Sequence, residues 1–144
     1  MTVEKFKEYN NGLSERLNMM FGCDENDNRV SDEEYSKMES ELIGYIMHFS
    51  LELGEENEFD EHLKERYDAL CTYSARILQY YSQIVFTKQL INDSRKMKRF
   101  GINQFDCEEY IKKCKSELRS YYMLTRGYTM GVSAFLSYSS GRHK

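Results

Sequence analysis

The feature that most constrains the fold is a regular apolar stripe in residues 60–100. Large side chains recur there at alternating spacings of three and four residues, and Ser74 and Lys88 are the only polar members of the series. This spacing keeps the side chains on one face of an α-helix, and such a seam packs against another helix. The sequence therefore predicts a long amphipathic helix. Its seam consists of Leu63, Tyr67, Leu70, Ser74, Ile77, Tyr81, Ile84, Lys88 and Ile91.

A second stripe of the same kind predicts a second long helix. Asp106, three residues before Glu109, resembles a capping box that opens it, and Gly101 ends the helix before it. Because the loop between them is short, the two helices are expected to form an antiparallel hairpin. The polar stretch 92–94 is a place where the first of them can kink. The second stripe consists of Ile111, Cys114, Leu118, Tyr121, Thr125, Tyr128, Val132 and Phe135.

Two shorter helices are predicted before the hairpin. The first covers residues 3–21 with Thr2 as its cap, and residues 10–12 are poor helix formers that weaken its middle. The second opens with a Ser-x-x-Glu capping box at residues 31–34 and ends at Gly54. Their apolar stripes are Phe6, Tyr9, Leu13, Leu17 and Met20 in the first, and Tyr35, Met38, Leu42, Tyr45 or Ile46, Phe49 and Leu53 in the second.

These elements predict an all-α fold, a four-helix bundle built on a long antiparallel C-terminal helical hairpin. We expect one helical domain over residues 1–144, with a short N-terminal helical hairpin at 1–54, the long hairpin at 60–139 and a tail at 140–144. The absence of proline from all 144 residues suits long helices joined by short polar loops. Because the long hairpin outreaches the short one, its far end, about residues 88–116, is predicted to protrude.

Two glycines lie one turn apart in the last predicted helix, at Gly127 and Gly131. Glycine is less favourable than alanine inside a helix. We therefore expect another backbone to approach this helix closely at these positions.

Charge is divided between the two halves of the chain. Residues 1–70 carry 19 acidic and 7 basic side chains, and residues 71–144 carry 5 acidic and 13 basic ones. The division predicts either two opposed surfaces or two halves that pack together and partly neutralise each other. Two sets stand out as candidate partner-binding surfaces. The basic tip, on the protruding end, is Arg95, Lys96, Lys98, Arg99, Lys112, Lys113, Lys115 and Arg119. The acidic corner, before the long hairpin, is Glu52, Glu55, Glu56, Glu58, Asp60 and Glu61.

The connector between the first two helices partly matches a calcium-binding loop. Arg29 stands where that loop requires glycine for its sharp turn, and Tyr35 stands where a bidentate glutamate should close the cage. We therefore expect no calcium site. The positions that do match are Asp24, Asn26, Asn28 and Asp32.

No motif in the sequence predicts catalysis, a metal or a cofactor. The cysteines form no Cys-x-x-Cys pair, and no histidine stands three residues after a glutamate, as a di-iron site would require. A nucleophile elbow and a glycine-rich phosphate loop are also missing. We expect a protein that is not an enzyme, with an enzyme as the remaining alternative. The cysteines, at positions 23, 71, 107 and 114, are expected to be small buried side chains in a reducing compartment.

These features predict a non-enzymatic helical protein-interaction module. Twelve tyrosines cannot all face one seam, and tyrosine is favoured at protein interfaces. Its partners would be another protein and a second copy of itself, as a homo-oligomer. One specific form is a phage or mobile-element inhibitor that occludes the surface of a nucleic-acid-handling host enzyme. The alternative is a small helical subunit that binds RNA or DNA through the basic tip. The polar N-terminus and the lack of a long apolar run predict a cytoplasmic protein without a membrane span.

Overall fold

The computed structural model describes residues 1–22, 31–52 and 59–142, with side chains described as far as Val132. Within these ranges the chain is helical and contains no strand, which confirms the all-α prediction. The helices are α1 (Val3–Met20), α2 (Asp32–Ser50), α3 (Glu61–Ile91), α4 (Ser94–Phe100) and α5 (Gln104–Arg142).

Helix α1 begins at its predicted cap, where Thr2 Oγ1 accepts a hydrogen bond from the Lys5 amide at 3.1 Å. It continues without interruption through residues 10–12, although these are poor helix formers. The reason is tertiary, since Asn10 is fully buried and its side-chain amide donates to the Thr129 carbonyl oxygen of α5 at 3.1 Å. All five predicted stripe residues are buried: Phe6, Tyr9, Leu13, Leu17 and Met20.

Helix α2 also begins where predicted, because Ser31 Oγ accepts a hydrogen bond from the Glu34 amide at 3.2 Å. It ends at Ser50, earlier than the predicted stop at Gly54, which lies outside the described residues. The buried face is narrower than predicted, and of the two candidates at its centre Ile46 is the buried one. The buried residues are Leu42, Ile43, Ile46 and Phe49, whereas Tyr35, Met38 and Tyr45 are partly exposed.

The helix predicted over residues 60–100 is two helices. Asp93 leaves the helical conformation (φ −118°, ψ 87°), and its carboxylate caps α4 by accepting a hydrogen bond from the Lys96 amide at 3.1 Å. The interruption lies in the polar stretch 92–94. Near the C-terminal end of α3, Thr87 is buried, whereas Lys88, a member of the predicted seam, is exposed.

Helix α5 begins at Gln104, before the predicted cap at Asp106. Asn103 caps it, because Asn103 Oδ1 accepts a hydrogen bond from the Asp106 amide at 2.8 Å. The predicted capping box at Asp106 is therefore wrong, and Asp106 lies in the first helical turn.

Replacing Asn103 with alanine is expected to lower the free energy of unfolding by about 1 kcal/mol, since the acceptor for that amide is lost. Asp106→Ala removes only an acidic side chain from the first turn, and is expected to cost about 0.3 kcal/mol. Urea unfolding followed by circular dichroism measures both. A larger loss for Asp106→Ala than for Asn103→Ala would contradict this assignment of the cap.

The buried face of α5 is rotated from the predicted one. Tyr122 and Thr129 lie in the core, while Tyr121 and Tyr128, which were predicted to lie there, are partly exposed. Consecutive residues on a helix point about 100° apart. Predicting Tyr121 as the buried tyrosine in place of Tyr122 therefore rotates the predicted buried face of α5. The buried residues described are Cys107, Ile111, Cys114, Leu118, Tyr122, Thr125, Thr129 and Val132, and the predicted Phe135 lies beyond the described side chains.

Helix α5 packs on α3 and on α1, and α1 packs in turn on α2. Between α1 and α3, the hydroxyls of Tyr9 and Ser74 are hydrogen-bonded at 2.6 Å inside the core. Later residues of α5 meet earlier residues of α3. Three side-chain contacts show this order, namely Tyr110 with Gln83, Tyr121 with Tyr80, and Tyr128 with Tyr73.

The helical glycines differ in what surrounds them. A Cβ at Gly127 or Gly131 would meet no atom of the described residues within 4 Å, so the described part of this chain does not supply the expected close approach of another backbone. In a helix interior each costs about 1 kcal/mol relative to alanine. A Cβ at Gly12, in contrast, would collide with the Tyr45 phenol of α2, so here the missing side chain is what lets the two helices pack.

Candidate functional site

The basic tip is built from α4 and the first sixteen residues of α5. All eight of its cationic side chains are exposed, as the sequence predicts for charged groups. Four come from the seven residues of α4, and four come from one stretch of α5. These members are Arg95, Lys96, Lys98 and Arg99, followed by Lys112, Lys113, Lys115 and Arg119.

A tight turn holds the two parts of the basic tip together. Gly101 ends α4 in the left-handed conformation (φ 66°), and the Ile102 amide donates to the Met97 carbonyl oxygen at 3.0 Å. Asn103, two residues after Gly101, caps the start of α5. Glycine adopts this conformation at little cost, so the sequence Gly-Ile-Asn turns the chain within three residues.

Apolar side chains stand among these cations. Phe100 is 60% exposed, Phe105 is 67% exposed, and Ile102 is also exposed in the turn between them. Tyr110 is better fixed, because its hydroxyl donates to Gln83 Oε1 of α3 at 2.9 Å. Exposed aromatic groups beside cations are a combination found at protein interfaces.

The basic tip also carries acidic side chains. Lys112 Nζ lies 3.3 Å from Glu109 Oε1 in an exposed pair, and it is the only tip cation for which the described part of the chain shows a salt bridge. Asp106 and Glu108 are exposed nearby. At the base of the tip, the Arg119 guanidinium lies 5.7 Å from the centre of the ring of Phe21, the residue that follows α1. The tip therefore has mixed charge with a cationic excess.

The structure describes only part of the acidic corner. Asp60 and Glu61 are exposed, but Asp60 Oδ1 accepts a hydrogen bond from the Leu63 amide at 2.8 Å and so caps α3. Glu52 is partly buried, with its Oε1 3.9 Å from Lys5 Nζ of α1. Glu55, Glu56 and Glu58 lie outside the described residues. Two of the three described carboxylates thus have a partner within the chain.

A cleft of about 710 Å³ that the sequence analysis did not predict lies between the first half of α2 and the α3–α5 pair. Asp32 and Glu39 line one wall, and Lys88, Lys115 and Arg119 line the other. Local patterns give no sign of it, because three helices far apart in sequence contribute the walls. Lys88, an exposed cation in a predicted seam whose only other polar member is Ser74, is the one signal that could have found it.

A buried tyrosine lies at the floor of this cleft. The Tyr122 hydroxyl donates to Glu39 Oε2 at 2.9 Å, and its side chain is 1% exposed. Burial, reinforced by the Glu39 carboxylate, raises the pKa of the Tyr122 phenol far above its usual range. Burial likewise raises the pKa of Tyr35 at the cleft wall. These phenols stay protonated at neutral pH, and they act here as hydrogen-bonding and packing groups.

The sequence raised cysteines and the calcium-loop positions as candidates for metal chemistry. Among the described residues, no group of three or more His, Cys, Asp or Glu is placed to hold a metal ion. Cys107 and Cys114 are buried thiols, and Cys71 is partly buried. Cys23 and the calcium-loop positions Asp24, Asn26 and Asn28 lie outside the described residues, and Asp32 is in the first turn of α2.

Comparisons with known proteins add no relative. The chain matches no protein-family model, no curated protein and no solved structure. Across the described ranges, every helix is too short or too polar to cross a lipid bilayer.

Proposed function

We propose that this chain is a non-enzymatic protein-interaction module that docks through the basic tip onto an acidic surface of a partner protein. In this proposal α3 and α5 form the long antiparallel hairpin, and α1 and α2 complete a four-helix bundle at one end of it. The other end, made of α4 and the start of α5, is presented to the partner. The module acts by occupying that surface.

The supporting observation is the mixture of exposed cations and exposed apolar groups at one end of the molecule. Phe100, Ile102 and Phe105 are exposed there together with all eight cations. Isolated apolar side chains on a surface are ordinary, but a group of them within one turn and its flanking helices marks an interaction site. Aromatic anchors inside a charged rim are the usual pattern of residues that dominate binding energy.

The charge pattern favours a protein over a nucleic acid as the partner. Asp106, Glu108 and Glu109 lie among the cations at the start of α5 and are exposed. Carboxylates would be repelled by a continuous row of phosphates, whereas a protein surface can place a lysine or arginine opposite them.

Nucleic-acid binding is the second candidate function, as in a small helical subunit of a ribonucleoprotein. The observation in its favour is that Phe100 and Phe105 are exposed beside Arg99 and Lys112. Aromatic rings can stack on unpaired bases while nearby cations contact phosphates, and such binding weakens steeply with salt.

Charge reversal separates the two candidates. The test variant changes Lys96, Arg99, Lys112 and Lys115 to glutamate. A matched control changes four exposed cations outside the tip to glutamate, namely Lys7, Lys37, Lys64 and Arg76, so both variants have the same net charge. We expect a partner protein captured by the wild type and by the control to be lost with the tip variant, and we expect none of the three proteins to bind oligonucleotides at about 0.15 M salt.

Two outcomes would contradict the proposal. Sedimentation with short duplex and single-stranded oligonucleotides tests the second candidate directly, and binding that only the tip variant loses would replace protein docking with nucleic-acid binding. A partner protein that the tip variant captures as well as the wild type does would show that the docking surface lies elsewhere.

Another form of the interaction-module proposal places the docking surface on the acidic half and names a class of partner. In it the chain is a phage or mobile-element inhibitor, and its acidic half covers the basic groove of a nucleic-acid-handling host enzyme. Exposed acidic side chains in the first turns of α2 and α3 support it, including Glu33, Glu34 and Glu61. Co-purification of such an enzyme that survives reversal of the tip, but is lost on Glu33→Lys, Glu34→Lys and Glu61→Lys substitution, would support this form in place of docking through the tip.

A further inference from the structure

One face of α5 points away from the rest of the described molecule. Its residues recur at spacings of three and four, so they lie in one stripe of the helix. Tyr73 of α3, Tyr128 and Arg119 border the stripe, and with several of its residues they line a groove of about 770 Å³. The residues of this outer face are all exposed: Ser116, Ser120, Met123, Leu124, Gly127, Met130 and Gly131.

The outer face is uncharged, in a protein in which 31% of the residues are charged. Met123, Leu124 and Met130 are 48%, 52% and 57% exposed, so about half of each apolar side chain meets water. Of the charged residues within this stretch, Arg126 turns towards α1 and donates from Nε to Asn18 Oδ1 at 2.8 Å, whereas Glu117 and Arg119 are exposed at the borders of the face. Identical copies can bring the uncharged centre of this face together without like-charge repulsion.

The glycines of the outer face have no explanation inside the described chain. Nothing lies within 4 Å of a Cβ at Gly127 or Gly131, and both have helical backbone, so neither a close neighbour nor a left-handed turn requires glycine there. They weaken the helix to no internal benefit. A helix from outside the chain could use the space, because missing side chains let two backbones approach closely.

We infer that a second copy of this chain covers the outer face, with α5 packing on α5 across a two-fold axis near Gly127. A two-fold axis brings the same patch of each copy together, so Met123, Leu124 and Met130 of both copies surround the contact between the glycines. From Ser116 to Gly131 the face is about 24 Å long, and half the circumference of a helix over that length presents roughly 500 Å² per copy. Two copies would bury roughly 1,000 Å², near the lower bound for a specific interface, which fits a dimer of micromolar affinity.

Sedimentation of the full chain from about 1 to about 200 µM tests the inference, because this range spans the expected dissociation constant. We expect the wild type to pass from monomer to dimer across it. Gly127→Arg places a bulky charge at the centre of the contact and is expected to raise the dissociation constant more than about tenfold. Leu124→Lys, at the edge of the same contact, is expected to raise it as well.

Gly44→Arg is the matched control. Gly44 is an exposed helical glycine of α2 that also has nothing within 4 Å of its Cβ position, so the same substitution adds the same charge at a site outside the outer face. Arginine is a better helix former than glycine, so neither arginine variant should lose dimer by unfolding, and circular dichroism checks this. A wild type that is monomeric throughout, or a dimer that Gly127→Arg leaves unchanged, would overturn the inference. The experiment needs no partner protein, so its result is independent of docking through the basic tip.

Discussion

Replacing Gly12 with alanine is expected to destabilise the fold by about 2 kcal/mol, although alanine is the better helix former. The new methyl group would collide with the phenol of Tyr45, whose hydroxyl donates to the Glu8 carbonyl oxygen at 3.1 Å. This phenol is held on both sides. Its ring stacks on Tyr9 with 5.8 Å between centroids, and the Arg16 guanidinium lies 4.0 Å from its centre. Moving it aside would therefore break several contacts between α1 and α2.

Two further variants make this prediction specific. Gly44→Ala is the same change at an open site in α2, and is expected to raise the free energy of unfolding by about 0.5–1 kcal/mol. Tyr45→Ala removes the obstructing ring, so adding Gly12→Ala to that background is expected to be neutral or stabilising. Urea unfolding of the wild type, Gly12→Ala, Tyr45→Ala and the double variant gives the coupling between positions 12 and 45. Equal stability of Gly12→Ala and the wild type would show that α1 and α2 do not approach this closely.

Helix starts that depend on one local hydrogen bond were predictable from the sequence. At Thr2 and Ser31 the capping side chain accepts from the amide three residues later, as the residue types predict. The start of α5 shows the limit of this reasoning. Asn103 and Asp106 are both good capping residues three positions apart, and sequence alone does not say which one leaves the helical conformation.

Contacts between distant residues were less predictable. The three poor helix formers of α1 stay helical because of contacts with other helices. Asn10 donates a hydrogen bond to the Thr129 carbonyl oxygen of α5, and the missing side chain of Gly12 leaves room for the Tyr45 phenol of α2. Periodicity located the buried faces to within one residue. The tyrosine pair at 121–122 could not be resolved further, because both members are large, apolar and equally suited to a core.

The two candidate surfaces differ in how well the sequence predicted them. Every cation of the basic tip is exposed, because isolated charges remain in water wherever the helices run. The acidic corner is described only in part, and there Asp60 serves as a cap and Glu52 approaches Lys5. The cleft between α2 and α3–α5 exists only once three helices have packed, which is why no local pattern predicts it.

Alkaline pH is expected to destabilise this protein from about pH 10 upwards because of two buried phenols. Tyr9 and Tyr122 are 0% and 1% exposed. Burial raises the pKa of Tyr9, although its hydrogen bond to Ser74 acts in the opposite direction. Burial also raises the pKa of Tyr122, and the negative charge of Glu39 adds to the effect.

The direction of this pH dependence follows from the release of protons on unfolding. Above pH 10 the unfolded chain has lost both phenolic protons while the folded chain still holds them, so unfolding releases protons and higher pH favours it. Each phenol lowers the free energy of unfolding by about 1.4 kcal/mol per pH unit in this range, and the two together remove about 3 kcal/mol by pH 11. Below pH 10 their contribution to stability is fully present and does not change with pH.

Phenylalanine substitutions test whether Tyr9 and Tyr122 cause this loss of stability with rising pH. Tyr9→Phe and Tyr122→Phe are each expected to be less stable than the wild type at neutral pH, because Ser74 or Glu39 loses its hydrogen-bonding partner. Each is also expected to lose stability less steeply above pH 10, by about 1.4 kcal/mol per pH unit. Urea unfolding at a series of pH values measures both effects, and phenolate absorbance shows whether tyrosine ionisation accompanies unfolding. If the double variant lost stability above pH 10 as steeply as the wild type, other groups would have to be responsible, and Tyr9 and Tyr122 would not be buried in the core as the structure places them.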